Sequence, residues 1–342
     1  MKITRIAMIA CAGAAALALA ACGGDEVSGW DAQSVSRSTE GVPFQPQLVN
    51  SNLGVGQNRI AVALFNEEGG LVSDAAIEVR LYRLAADPQS EPAVAEAAGE
   101  VTLTPRTLDI NPEHASRFTP PSAGDAQRAA STLPAFAGPA QHVAHEGDLT
   151  TVFVANVEFD RSGWWGFAIN VTVGGTEYRD LLLRTFVQEH TSEPAIGDPA
   201  PPSRQATLAD AEITEISSAP NPIAGMLEMT VADALETGKP IVVAFVTPAF
   251  CQTRFCGPVL EQIVVPAYEQ YNDRAIFIHV EPYVLAKART EGVLEPVGAV
   301  TEWGLRSEPI IFVIGKDGRV AAKFEGILEI TELNEAIEAA LK

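Results

Sequence analysis

Thiols and positive charge are both scarce in this chain. Lys and Arg number 23 against 44 Asp and Glu over 342 residues, a formal net charge of -21. Nucleic-acid phosphates need a basic surface, so this balance excludes a nucleic-acid partner. It also excludes attachment of a protein face to an anionic membrane and otherwise favours solubility. Aromatic residues make up 7%. Cysteines number four, at 11, 22, 251 and 256, too few for a disulfide-dense scaffold. Among the five histidines, His142 and His145 are spaced H-x-x-H, with His114 upstream. No carboxylate or cysteine completes a ligand set with them, so they read as solvated loop histidines, and no metal or cofactor is expected.

The chain is too long for one ordinary core and suits two domains with tails. Its first 21 residues read as a targeting segment. Lys2 and Arg5 precede an Ala-rich apolar run, Ile6 to Ala21, that is too short and small-sided for a spanning helix. The run ends Leu19-Ala20-Ala21-Cys22-Gly23, which resembles the lipobox of bacterial lipoproteins. That resemblance implies cleavage before Cys22, a lipid on its sulfur, and membrane attachment in the cell envelope. Gly23, rather than Asp, implies the outer membrane if the host has one. Cleavage removes two positive charges, taking -21 to -23. Cys11 then leaves with the signal, so Cys251 and Cys256 remain as thiols, in a compartment that permits a disulfide.

Residues 22–45 lack periodicity and read as a flexible tether. From 46 to 188 the hydrophobic period is two. Ile77, Val79 and Leu81 alternate with Glu78, Arg80 and Tyr82, and Phe167 to Val173 does the same. Asn58 to Phe65, Thr151 to Phe159 and Tyr178 to Val187 read as further strands. The expectation is an all-β sandwich, immunoglobulin-like in the broad sense, with a long insertion at about 86–148. Trp164 and Trp165 read as packing residues rather than a recognition platform. Residues 189–206 are Pro-rich and read as a semi-rigid spacer.

Residues 207–342 alternate strand and helix, with apolar runs at 241–246, 275–280 and 310–314. They are expected to form an α/β domain with a core of its own. Thr230 with Asp233 three residues on marks a helix start, and Gly238 its end. Lys316-Asp317-Gly318 marks a hairpin turn. Both thiols fall between the Ile241–Val246 run and the helix that Gly257-Pro258 opens, where unpaired N–H groups favour thiolate over thiol.

Several motifs here are similar to those of the thioredoxin family. Phe255-Cys256-Gly257-Pro258, or Phe250-Cys251, is similar to the start of the family's redox motif. Trp303-Gly-Leu-Arg-Ser-Glu-Pro309 is similar to its aromatic-Gly-Ile-Arg-x-x-Pro segment, and Ile311 to Val320 with Gly326 to its final hairpin. Ile196-Gly-Asp-Pro-Ala-Pro201 resembles the entry to membrane-anchored thioredoxin-like and alkyl-hydroperoxide-reductase-like domains. The resemblance implies a C-terminal thioredoxin fold, a cis Pro309 facing the cysteines, and exchange with a protein thiol or disulfide. The departures are C-x4-C in place of C-x-x-C, and Ala244 at the strand position where the family keeps a buried acid.

Three functions compete. The first is thiol-disulfide exchange through Cys256 and Cys251, with Arg254 lowering a thiol pKa. The second is a non-catalytic thioredoxin-fold module with a structural disulfide. The third is a peroxiredoxin-like peroxidase, since Thr247-Pro-Ala-Phe-Cys251 loosely resembles that family's Thr-x-x-Cys. Copper delivery lacks its histidine near the last hairpin, and His279, mid-strand, reads as packed. Position next to Gly257-Pro258 makes Cys256 the expected attacking thiol. Ala249-Phe250 is expected to bury Cys251, the resolving one.

Overall fold

A computed structural model describes residues 29–85, 95–109, 149–251, 253 and 255–342. Cys22, Arg254, His114, His142 and His145 lie outside the described residues.

The alternating segments form strands β1 (Phe44–Leu48), β2 (Gly56–Asn66), β3 (Ala76–Leu84), β4 (Ala95–Asp109), β5 (Leu149–Phe159), β6 (Gly163–Val173) and β7 (Thr176–Val187). All pair antiparallel in one sheet of order β1-β2-β5-β4-β3-β6-β7. The expected sandwich is therefore one folded sheet. Its two halves meet in β4, which pairs with β3 through Leu103 and with β5 from Thr104 onward. A register shift at Leu81/Tyr82, opposite Gly99 with φ 151°, bends the strand within its first half. Ile60, Val62, Leu64, Phe153 and Phe159 from one half and Ile77, Val79, Phe167 and Ile169 from the other share one core.

Residues 30–45, read as tether, are built into the fold. Asp31 caps the Ala32–Ser38 helix by accepting from the N–H groups of Gln33 and Ser34, and Trp30 is fully buried with Tyr82, Leu84, Ala168 and Leu182. The Trp30 ring lies so close to Gly166 that an added Cβ there would sit 2.5 Å from it.

The second sheet has the order β11-β10-β8-β9, from β8 (Ile241–Phe245), β9 (Ile276–Val280), β10 (Ile310–Ile314) and β11 (Val320–Glu325). β8 and β9 are parallel, and β10 is antiparallel to both β8 and β11. Helices cover both faces, which is why β8 and β10 are apolar and buried throughout. One face carries Cys256–Val259, a π-helical turn Leu260–Val264, Val265–Tyr271 in continuation, and Ile330–Leu341. The π turn precedes Pro266, whose ring would clash with the Gln262 carbonyl in a regular helix. The other face carries Val231–Leu235, capped by Thr230, and Gly298–Glu302 with Trp303.

Besides a core of its own, each sheet contributes to a third that the two share. Ala61, Ala63, Leu108, Val152 and Val154, on the outer face of the large sheet, pack in one cluster with Cys256, Val259, Leu260 and Ile263. β2 is consequently buried without a break from Ile60 to Leu64. Arg59 donates to Glu332 at 3.0 Å and to the Ile327 carbonyl at 2.9 Å across this junction, and Arg106 reaches Glu329 and Glu332. The Pro-rich segment is not a free spacer. Gly197 N–H donates to Val320 O at 2.8 Å, Val320 N–H to Asp198 O at 2.9 Å, and Ala200 N–H to Gly318 O at 2.9 Å, so it covers the outer edge of β11. No helix among the described residues is long and apolar enough to cross a membrane.

Candidate functional site

Chain direction fixes the site. β8 exits at Phe245, a ten-residue connection carries Cys251, and the next helix opens on Cys256 itself, two residues before Pro258. Starting there puts Cys256 on the inner side of the first turn. It is wholly buried among Val259, Leu260 and Ile263, and β4 packs against this same turn. Cys251 is half-buried. The two are joined as a disulfide with Cα atoms 5.9 Å apart. That separation is within bridging reach, and Cys251, Thr253 and Phe255 lie outside the helix that opens on Cys256.

This arrangement reverses the expected exposure of the two sulfurs. Phe250 turns inward onto Tyr283, Leu285 and Ala288 and leaves Cys251 toward solvent. The helix N-terminus still serves a sulfur, but through its amide: Cys256 N–H donates to Cys251 Sγ at 3.2 Å. Thr253 Oγ1 lies 3.3 Å from the same sulfur and 3.4 Å from the Glu308 carbonyl, to which it donates. The Glu308–Pro309 peptide is cis, the geometry that the motif resemblance implies. Pro309 directly precedes Ile310, which lies opposite Phe245. The proline loop and the cysteine loop thus leave the same end of neighbouring strands.

Sequence reasoning missed the polar groups beneath the cysteine loop. Ala249 N–H donates to Ser218 Oγ at 3.1 Å, and Ser218 N–H to Glu281 Oε2 at 2.8 Å. Glu281 directly follows β9 and is buried, with its carboxyl against the buried Thr247 and against Ser218. Burial pushes the Glu281 carboxyl up to about 7, against hydrogen bonds from Thr247 and Ser218. The available signal was an acid between an apolar strand and Pro282. His279 is buried and bonds the Val246 carbonyl through Nε2 at 2.8 Å, so Nε2 carries the proton; burial lowers its pKa. Trp165 is buried and Trp164 half-buried against Phe186. Among the described residues no three or more His, Cys, Asp or Glu side chains gather as metal ligands.

No protein-family model and no curated protein matches the chain. Among solved structures it is similar to a thiol:disulfide interchange protein of the thioredoxin family from Chlorobium tepidum TLS. That likeness has 19% identity, covers 43% of this chain and 99% of that one, and has a TM-score of 0.28. A thioredoxin-like superfamily protein is similar at 17% identity over 37% of this chain and 94% of that one, with a TM-score of 0.23. Likenesses at that level determine neither the fold nor the activity of this chain.

Proposed function

We propose that this chain is a thioredoxin-like protein of the cell envelope, anchored in a membrane through lipid on Cys22, that exchanges disulfides through Cys251 and Cys256. The observation that carries the reading is the asymmetry of the pair. Cys251 is half-exposed, receives the Cys256 amide and lies beside Thr253, which reaches the carbonyl before the cis proline. Cys256 is sealed behind it.

That asymmetry makes Cys251 the attacking sulfur and Cys256 the resolving one. In the reduced chain the Cys251 thiolate, stabilised by the helix amide, attacks one sulfur of a substrate disulfide. A mixed disulfide forms, and the other substrate sulfur leaves as a thiolate and takes a proton. The Cys256 thiol then loses its proton and its sulfur attacks Cys251 Sγ. The second substrate sulfur leaves as a thiol, and two electrons have passed from the pair to the substrate. The described disulfide is the end state, and run backward it oxidises a partner dithiol. Pro309 forms the substrate-side wall, and Arg254, between the two cysteines, is placed by sequence to favour the thiolate. The partner is a protein thiol or disulfide rather than a nucleic acid, and a host with two membranes would hold the anchor in the outer one.

Trapping tests the reading. Cys256→Ser should accumulate a mixed disulfide at Cys251 with a peptide disulfide, and Cys251→Ser should not. A non-catalytic disulfide is the competing reading, favoured by the complete burial of Cys256. It predicts no trapping by either variant and a reduction potential below about -300 mV, whereas exchange predicts about -120 to -270 mV.

A further inference from the structure

The loop that ends in cis Pro309 is held from outside its own sheet. Glu325, the last residue of β11, lies opposite Ile310. Its Oε1 accepts from Ser307 Oγ at 2.5 Å, and its two oxygens accept from Ser51 N–H at 3.0 and 3.1 Å. Ser51 lies between β1 and β2 of the large sheet. One carboxyl group thus joins that sheet to a residue two positions before the proline.

A second set of contacts clamps the residues just upstream. Ser192 Oγ accepts from Arg306 Nε at 3.1 Å and from Asn52 Nδ2 at 3.0 Å. Glu193 accepts from Asn52 Nδ2 at 2.8 Å and pairs with Lys323 at 3.1 Å. Gly304, with φ 59°, is pressed so close to this segment that a Cβ would sit 2.1 Å from the Ser192 carbonyl oxygen. Residues 304, 306 and 307 therefore all touch either segment 192–193 or the carboxylate that Ser51 holds. At the other end of the loop, the Glu308 carbonyl receives the Thr253 hydroxyl, 3.3 Å from Cys251 Sγ.

We propose that Glu325 is a positioning residue of the exchange site: by tying Ser51 to Ser307 it lets the large sheet set where the cis-proline loop stands against Cys251. The inference rests on the thiol-disulfide reading for its effect on catalysis, and on the hydrogen bonds alone for its effect on the loop. A peptide disulfide spreads its flanking chain over that wall. A small disulfide touches only the sulfur.

The test uses the full chain with Glu325→Ala and Glu325→Gln. In the alanine variant the Ser307 and Glu308 amides should exchange with solvent about tenfold faster, while amides of the Ile330–Leu341 helix, anchored separately through Arg59, keep their rates. The KM for a peptide disulfide should rise about fivefold, with kcat and the turnover of a small disulfide within about twofold of the parent. Glutamine keeps one acceptor oxygen and should fall between. Unchanged loop amides overturn the proposal, as do loosened amides with an unchanged KM. A parent protein that turns over no disulfide refutes the exchange reading instead, and the amide rates then decide by themselves whether Glu325 holds the loop.

Discussion

Replacing Glu281 by Gln should remove a pH-dependent weakness from the fold. The carboxyl is buried, and despite hydrogen bonds from Thr247 and Ser218 its pKa is raised from 4.5 to about 7. A carboxyl with a raised pKa binds its proton more tightly in the folded chain than in the unfolded one. Its penalty is therefore absent below about pH 4.5, grows as pH rises toward 7, and is constant above that. At roughly 1.4 kcal/mol per tenfold change in acidity, the full penalty is about 3 kcal/mol. Glutamine fills nearly the same space and keeps an oxygen for the Ser218 amide, so at pH 4 the two proteins should agree within about 1 kcal/mol. At pH 8 the variant should be the more stable by about 3 kcal/mol. His279 acts with the opposite sign: its lowered pKa adds stability as pH rises through its unfolded value near 6.5. Glu325, raised by burial, acts with the same sign as Glu281. Both are present in parent and variant, so the difference between the two proteins isolates position 281. Urea unfolding of both with the disulfide intact, at pH 4 and pH 8, reads that difference. A change of less than about 1 kcal/mol between the two pH values would refute the reasoning.

Cys22→Ala should abolish incorporation of labelled fatty acid and release the protein from membranes; unchanged labelling would remove the anchor from the proposal. Gly166→Ala drives a methyl into the Trp30 ring and should cost about 1–3 kcal/mol in denaturant unfolding. Glu332→Ala strands the nearly buried Arg59, whose side chain is 7% exposed, and should destabilise by about 3–5 kcal/mol. Arg59→Met, which removes the stranded charge, should recover much of that loss in the double variant.

Features set by neighbours in sequence were legible before the structure was known. Thr230 caps its helix as read, and the turn at Lys316-Asp317-Gly318 joins β10 to β11 with Gly318 at φ 75°. What distant segments decide was not. β4 begins Ala-Glu-Ala-Ala and contains Gly99 and Pro105, a composition poor in strand formers that becomes a strand because β3 and β5 flank it. In β2 the side chains that turn outward, Ala61 and Ala63, are small and apolar where a solvated face would carry polar groups. That pattern signals a second layer without saying which. The exposure of the two cysteines depended on where the helix begins and on β4 beside it, neither of which residue counting reaches. Glu281 drew no reading from the sequence because nothing nearby in it announces Ser218, Thr247 or the burial of the carboxyl.

The pairing of residues 197–200 with β11 also bears on how the molecule moves. Hinges need a few residues free to change φ and ψ. Here the covalent crossing between the sheets is stitched down by backbone hydrogen bonds, and Pro199, Pro201 and Pro202 each have a fixed φ. Swinging the large sheet aside would require peeling a strand, not flexing a joint. On the exchange reading proposed above, a disulfide-bearing partner would have to bring its own mobility to Cys251, and an unfolded or loosely folded chain would meet that demand more readily than a rigid one.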